Sequence, residues 1–369
     1  MKVSIITVVY NGAKTIEQTI LSVLEQTYKN VEYIIIDGQS TDDTLKIIEK
    51  YSNFISVFIS EKDNGIYDAM NKGIQKATGE IIGIINSDDW YDRTAIENVV
   101  HFFEKSKVDL VYGKICEIYP DGQIRIIPRV PLETIWYQMA VPHPSVFIKK
   151  KIYESFGLFD LNYELCADYD LLLRFYTKRV RFDFLDTVIA YFRTGGKSTL
   201  YRRKGLEEHT EISMKYIEES HQKEKLLLDF ENWYTWAYFN MMIEGEKGFL
   251  SKLICEYFHK SLEKIIIFGT GIWGNRCYEI LQHGKIKVIK FVDNNPAKWG
   301  QNFHNIKIVG PQELCHEKTY VLIAVRYNGN EIKQCLHNLR NNHLEIVSLE
   351  ELKKYYTDIR CLSVSSSKC

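Results

Sequence analysis

The sequence predicts an α/β protein of two domains, each built on a parallel sheet. Three observations predict it. Short apolar runs alternate with amphipathic stretches through the first third, strand signals stop between Gly205 and about Ser261, and a second strand–turn–helix pattern opens at Lys264. A length of 369 residues suits two domains of roughly 100–200 residues each. Hydrophobic content of 45% with 26% charged residues is globular composition, not that of a disordered chain.

Val3–Val9 reads as a buried strand. Ile16, Ile20, Val23 and Leu24 then recur at helical spacing, giving an amphipathic helix. Tyr33–Ile36 is a second buried run, and Leu45, Ile47 and Ile48 mark a short helix; Val57–Ile59 and Ile81–Ile85 are the next strands. Strands separated by helices make βαβ units and a sheet covered on both faces. Ligands of such sheets bind beyond the carboxyl ends of the strands. Polar clusters stand at those ends: Asn11-Gly12, Asp37-Gly38-Gln39-Ser40, Glu61-Lys62-Asp63-Asn64-Gly65 and Asn86-Ser87-Asp88-Asp89. Glu207–Glu218 and Lys225–Met242 read as helices. Strands at Ile265–Phe268, Val288–Val292 and Tyr320–Val325 follow, and the tail after Thr357 is polar and expected to fray. The expected division is a first domain over 1–225, a helical connector over 226–261 and a smaller α/β domain over 262–369.

Lys and Arg number 47 against 48 Asp and Glu, a net charge of -1, so no bulk charge is available to hold nucleic acid. The eight cysteines never form C-x-x-C, which argues against a zinc ribbon or redox pair and fits reduced thiols. Met1–Tyr10 is apolar for too short a stretch to be a signal peptide. No run approaches the ~18 apolar residues of a membrane span. A cytoplasmic protein is expected.

Asp88-Asp89 follow a strand and precede Trp90-Tyr91. Adjacent carboxylates repel unless a cation joins them, and Mg²⁺ or Mn²⁺ carrying phosphate oxygens does so. The competing role is capping of Thr94–Phe103, for which Asp92 is better placed. Asp37 ends a strand where a carboxylate can accept a nucleobase N–H. Ser40-Thr41-Asp42-Asp43 reads as a capping box, with Ser40 as cap and Asp43 reaching back. Asn11 either caps the first helix or meets a ligand, and free N–H groups there can face an anion.

Taken in order, Ser4–Asn11, Ile36–Thr44, Asp63–Gly73, Gly79-Glu80 and Asn86–Asp89 closely resemble family 2 glycosyltransferases of the GT-A fold, over roughly residues 1–200. The resemblance implies a nucleotide-sugar donor, usually a UDP-sugar, inversion at the anomeric carbon, and a saccharide or lipid-linked saccharide acceptor. Thr7, Tyr10 and Asp37 match nucleotide-contacting positions, with Asn11 beside them. Asp89 matches the metal-binding carboxylate, and Asp88 lies next to it against ribose or metal. Asn86 stands where many relatives have the first Asp, which leaves Asp89 as the intact metal ligand. Pro142–Phe147 and Gly157–Asp160 resemble acceptor-side segments, and Ala167–Leu171 matches the segment of the catalytic base. The aligned base is Asp168, with Asp170 as its competitor. One carboxylate and one metal suffice for a single displacement. His143 meets the diphosphate or the acceptor, or is structural. Lys197, in Thr194-Gly195-Gly196-Lys197-Ser198, resembles the glycine loop over the donor.

Gly269-x-Gly271-x-x-Gly274 follows a strand and opens a helix, and Asp293 ends the next strand about 20 residues later. That is dinucleotide-binding spacing, while Asp293–Gly300 looks more like small Rossmann-like domains of sugar and capsule biosynthesis proteins. A nucleotide, nucleotide-sugar or NAD(P) is the ligand this pattern admits. No Tyr-x-x-x-Lys accompanies it. The aromatic run Trp233–Phe239, near Arg202-Arg203-Lys204, either packs between domains or touches a membrane surface at its inner face. The resulting expectation is an inverting, metal-dependent glycosyltransferase of surface polysaccharide synthesis. Its rivals are an NAD(P)-linked nucleotide-sugar epimerase or reductase, and a non-catalytic nucleotide-sugar-binding scaffold.

Overall fold

The computed structural model describes residues 1–196, 200–245, 248–314, 319–325, 329–338 and 343–356. The chain divides into two units, Met1–Trp233 and Tyr234–Cys369. The first opens with β1 (Val3–Val9), α1 (Ile16–Leu24), β2 (Val31–Asp37), α2 (Thr44–Glu49), β3 (Val57–Ser60), α3 (Ile66–Lys76) and β4 (Ile81–Asn86). β1 lies between β2 and β4, with β3 beyond β2, and all four strands are parallel. Every residue of β1 is buried, which is why its sequence is a continuous apolar run rather than an alternation. Successive side chains enter opposite cores: Ile6 and Val8 join Ile34, Ile36, Ile82 and Ile84, while Val3, Ile5 and Val9 join Tyr33, Ile35 and Ile81. The register stops these strands together, for Val9 pairs with Asp37, Val8 with Asn86 and Asp37 with Ser60. The polar loops therefore share one edge.

β5 (Trp90–Tyr91), α4 (Ala95–Lys105), β6 (Leu110–Ile118), β7 (Ile124–Ile126), β8 (Phe147–Lys149), α5 (Lys150–Phe156), α6 (Ala167–Thr177) and β9 (Phe182–Arg193) complete the sheet. Its order is β3-β2-β1-β4-β8-β6-β9-β5, with β7 on β6. β8 runs antiparallel to both β4 and β6, so β6 points the same way as β4. β9 is parallel to β6 and ends at Arg193, on the same edge as the end of β4. α7 (Arg202–Glu218) packs on α6: the His209 ring stacks on Tyr169 at 3.9 Å, and the Tyr169 and Ser213 hydroxyls are 2.9 Å apart. α8 (Lys223–Gly245) begins in this unit, where Trp233 stacks on His209 at 4.6 Å.

The second unit contains α9 (Phe249–Tyr257), β10 (Lys264–Phe268), α10 (Ile272–Leu281), β11 (Lys287–Val292), β12 (Asn302–Phe303), β13 (Ile306–Val309), β14 (Thr319–Ile323), α11 (Gly329–His337) and β15 (Leu344–Ser348). Its sheet order is β12-β13-β11-β10-β14-β15, parallel except for β12. Phe239, Ile243, Leu250 and Ile254 are buried in this core, and Trp236 packs on Trp273. The aromatic run of the sequence is thus shared out, Trp233 to the first unit and Trp236 and Phe239 to the second. Among the described residues no helix is long and apolar enough to cross a membrane. The described cysteines Cys116, Cys166, Cys255 and Cys277 are free thiols.

Gly274 is packed directly against backbone in the second unit. A Cβ there would lie 1.9 Å from the Gly269 carbonyl oxygen, whereas a Cβ on Gly271 would meet nothing within 4 Å. Gly274→Ala should therefore lower the melting temperature of this unit, at a cost of about 1–3 kcal/mol or more from overpacking. Gly271→Ala should cost less, about 1 kcal/mol or under, because only the N-cap preference is lost. Thermal unfolding followed by circular dichroism reads both.

Candidate functional site

The loops at the carboxyl edge are tied to one another before any ligand is considered. Asn11 adopts a left-handed conformation, φ 52°, which its short polar side chain tolerates. Its amide donates to Ser40 Oγ (2.8 Å), the Gly12 amide to Thr44 Oγ1 (2.9 Å) and the Ala13 amide to Asp42 Oδ2 (3.1 Å). The Thr41 amide donates back to Asn11 Oδ1 at 2.8 Å. These bonds correct three expectations. The amides of Asn11, Gly12 and Ala13 are engaged and not free for an anion. Asn11 does not cap α1, whose N-cap is Thr15. No capping box forms, since Asp43 is the N-cap of α2 without a side-chain bond and the Ser40 hydroxyl is spent on Asp37. Asp92 likewise stands outside the α4 cap: Thr94 is the N-cap, and Asp92 Oδ1 accepts from its amide and hydroxyl at 3.0 and 2.8 Å.

Asp37 is fully buried, and its carboxylate accepts from the Ser40 amide (3.0 Å) and from the Ser40 and Ser60 hydroxyls. It welds the β2 and β3 loops together. Tyr10, directly after β1, is 64% exposed. Thr7 is different. It is fully buried in mid-strand, and its hydroxyl accepts from Tyr33 OH at 3.1 Å, so its side chain lies away from the edge.

Asp88 and Asp89 follow β4 and are clasped by Arg193 from the end of β9. The Arg193 amide donates to Asp89 Oδ1 at 3.0 Å, its Nη1 to the Asp88 carbonyl and its Nη2 to Gln18 Oε1. Its guanidinium lies 4.5 Å from the centre of the Trp90 ring. Burial raises the Asp88 carboxyl above its usual range, and the Arg193 charge opposes this. Asp89, with no exposed surface, is raised further by burial and by the Asp88 charge. Asp89 Oδ2 and Asn86 Oδ1 are buried acceptors without a hydrogen-bond partner. A buried carboxylate oxygen left unpaired is costly, and a hard divalent cation is one partner that would satisfy it. Among the described residues no cluster of three or more His, Cys, Asp or Glu could hold such an ion alone. Asp89, with Asp88 beside it, would suit a divalent cation, the unpaired Oδ2 being the oxygen such an ion would satisfy.

The third group centres on Asp168, in the first turn of α6. Its Oδ1 accepts from Tyr67 OH at 3.1 Å and from the Tyr169 amide at 2.9 Å. The Leu165 carbonyl lies 2.9 Å from the same hydroxyl, so the single Tyr67 proton is shared between the two acceptors. His143 stands close enough that its charge and that of Asp168 perturb each other. Burial raises the Asp168 carboxyl, and His143 and the Tyr67 bond pull it partly back. Burial lowers His143, which favours the neutral ring. Phe159 packs against both partners, stacked on Tyr67 at 5.3 Å and edge-on to His143 at 5.8 Å. Asn71 holds the Phe159 backbone by two bonds, 2.9 and 3.0 Å.

Asp170 is a different kind of residue. Only 1% exposed, it accepts from Lys215 Nζ (3.2 Å) and Tyr216 OH (3.0 Å) and pairs with Arg174 at 3.4 Å. It is a clamp between α6 and α7. Tyr67, Asn71 and Phe159 escaped sequence reasoning as site residues although two quoted motifs contain them. Arg193, directly before Thr194, escaped as well. Lys197 lies outside the described residues.

In the second unit Gly269, Gly271 and Gly274 form the turn from β10 into α10. Gly271 is the N-cap, and Gly269 takes φ 108°. Asp293 reaches this turn, but its carboxylate is already engaged. It accepts from the Thr270 amide (3.2 Å) and hydroxyl, the Asn295 amide (2.9 Å) and Lys298 Nζ (2.9 Å). Those bonds outweigh burial and lower its pKa.

The first unit has the architecture of a GT-A fold, with its polar centre at the carboxyl edge of a mixed sheet. In fold it is similar to S. aureus TarS 1-349 crystallised with UDP (TM-score 0.54, 20% identity, covering 67% of this chain and 76% of that one). It is also similar in fold to the mannosyltransferase PcManGT from Pyrobaculum calidifontis, crystallised with GDP-Man and Mn²⁺ (TM-score 0.53, 17% identity, covering 70% and 79%). The family profile described as "Glycosyl transferase family 2" matches residues 4–152, and one described as "C2185-like, N-terminal" matches residues 261–347. The UDP-Glc:alpha-D-GlcNAc-diphosphoundecaprenol beta-1,3-glucosyltransferase WfaP of Escherichia coli is 34% identical over 196 residues, which cover 52% of this chain and 76% of the relative. The chain belongs to the family 2 glycosyltransferases.

Proposed function

We propose that the first unit transfers a sugar from a UDP-sugar to a hydroxyl of a lipid-linked saccharide, with inversion at the anomeric carbon. The observation that carries this reading is the Tyr67–Asp168–His143 cluster. A carboxylate raised by burial, with one oxygen held by a phenol and an amide, suits a general base. Asp168 takes the proton of the acceptor hydroxyl as that oxygen bonds to the anomeric carbon, while the bond from that carbon to the diphosphate oxygen breaks. Burial, which favours the neutral His143 ring, limits how far His143 lowers the proton affinity of Asp168. Tyr10 offers a face to the nucleobase, and Asp37 keeps the neighbouring loop in place. Asp89 and Asp88, clasped by Arg193, would hold a divalent cation, which when bound neutralises charge on the diphosphate leaving group.

The similarity to WfaP, named for UDP-Glc and a GlcNAc-diphosphoundecaprenol acceptor, supports the donor and acceptor classes. The UDP bound by TarS and the Mn²⁺ bound by PcManGT agree with the donor and the metal. Thermal shift with UDP-Glc, UDP-GlcNAc and GDP-Man, each with Mn²⁺, tests the reading. The UDP-sugars should raise the melting temperature most. Stabilisation by GDP-Man alone would overturn the donor assignment.

A further inference from the structure

The helix that carries Asp168 starts without a cap of its own, since its N-cap residue Cys166 makes no side-chain cap bond. Its start is held from another helix. Glu208, on α7, accepts from the amides of Glu164 (3.2 Å), Leu165 (2.8 Å) and Cys166 (3.1 Å). Only the Cys166 amide belongs to the N-cap; those of Glu164 and Leu165 lie in the turn before it. The same turn presents the Leu165 carbonyl to Tyr67 OH, which also meets Asp168 Oδ1. That carboxylate oxygen also accepts the Tyr169 amide. Among the described residues, no hydrogen bond engages Asp168 Oδ2.

We propose that Glu208 is a positioning residue for the base: by holding the amides of residues 164–166 it fixes the Leu165 carbonyl, which shares the Tyr67 proton with Asp168 Oδ1, and so keeps the carboxylate placed with Oδ2 toward the acceptor hydroxyl. This rests on the reading of Asp168 as the base. Glu208 is not needed to hold α7 against α6. Lys215 and Tyr216 bind Asp170, and Ser213 meets Tyr169, independently of it. The groups facing Asp168 are Tyr67 from α3, His143 from the segment before β8 and the Cys166 thiol of its own turn, with Glu208 acting on that thiol in turn. Loss of Glu208 would let the Leu165 carbonyl move away, and the Tyr67 proton, no longer shared, would bond the Asp168 carboxylate more fully and favour its charged form.

The test uses the full chain, with UDP-Glc as donor and a GlcNAc-diphosphopolyprenol as acceptor. Glu208→Ala should lower kcat by about 10–100-fold and move the acid limb of the pH profile about one unit lower. Calorimetric affinity for UDP with Mn²⁺ should stay within about twofold of wild type. Glu208→Gln keeps one acceptor oxygen and should lose only about 3–10-fold in kcat, with the acid limb moving the same way. It carries the test if the alanine variant does not fold. A wild-type rate and acid limb in both variants would overturn the inference. So would a rate loss with an unmoved acid limb and weakened UDP binding, which marks a merely structural role. Asp168→Asn is assayed alongside. If it transfers normally, the base reading itself fails; if it is inactive while the Glu208 variants are normal, only the positioning role fails.

Discussion

Asp168→Asn is expected to lower kcat by about 10²–10⁴-fold while leaving nucleotide affinity nearly unchanged. Asn fills the same space and can still accept from Tyr67 and the Tyr169 amide, but it cannot take a proton. In the wild type the working form is the ionised carboxylate. Burial raises its pKa, so the acid limb of kcat/KM should lie above the usual carboxylate range near ~4, with activity rising through it and lost as pH falls. Asp170→Asn should do the reverse. It should keep its transfer rate but lose about 1–3 kcal/mol of stability, because Lys215, Tyr216 and Arg174 are left facing a neutral amide. Steady-state kinetics and thermal unfolding of the two variants check both statements. An active Asp168→Asn beside an inactive Asp170→Asn would move the base by two residues.

Asp89→Asn is expected to lower transfer by about 10²–10³-fold or more. The amide oxygen preserves the bond from the Arg193 amide, so the fold should survive while the charge facing a cation is lost. Mn²⁺ should then no longer tighten UDP binding. Calorimetry of UDP with and without Mn²⁺, for wild type and variant, reads this without reference to turnover. An unchanged Mn²⁺ effect in Asp89→Asn would remove the metal from this position.

The parallel half of the first sheet was legible because β1, β2 and β4 are covered on both faces and read as apolar runs. β9 was not. Its twelve residues pass irregularly through half-buried, exposed and, at Ile189 and Ala190, buried positions, include Asp183 and Asp186, and pair with β6 through two register shifts. That pattern carries no local period, and only the tertiary pairing makes it a strand. The carboxylates of the site were legible through their place in a family pattern. Their supports were not, and for a physical reason. Glu208 is one acid among Glu207, Glu208 and Glu211 on a helix, and nothing local separates the one that holds the start of α6 from the neighbours. Ser40-Thr41-Asp42-Asp43 shows the converse. Residue types that suit a helix cap were used to bind the loop after β1, because Asn11, Gly12 and Ala13 offered amides closer in space.

The central claim is a single displacement at the anomeric carbon with Asp168 as base. The most direct measurement is the anomeric configuration of the product, by NMR of the saccharide formed from an α-linked UDP-sugar. The account predicts a β-linked product from wild type and almost none from Asp168→Asn. An α-linked product would contradict it.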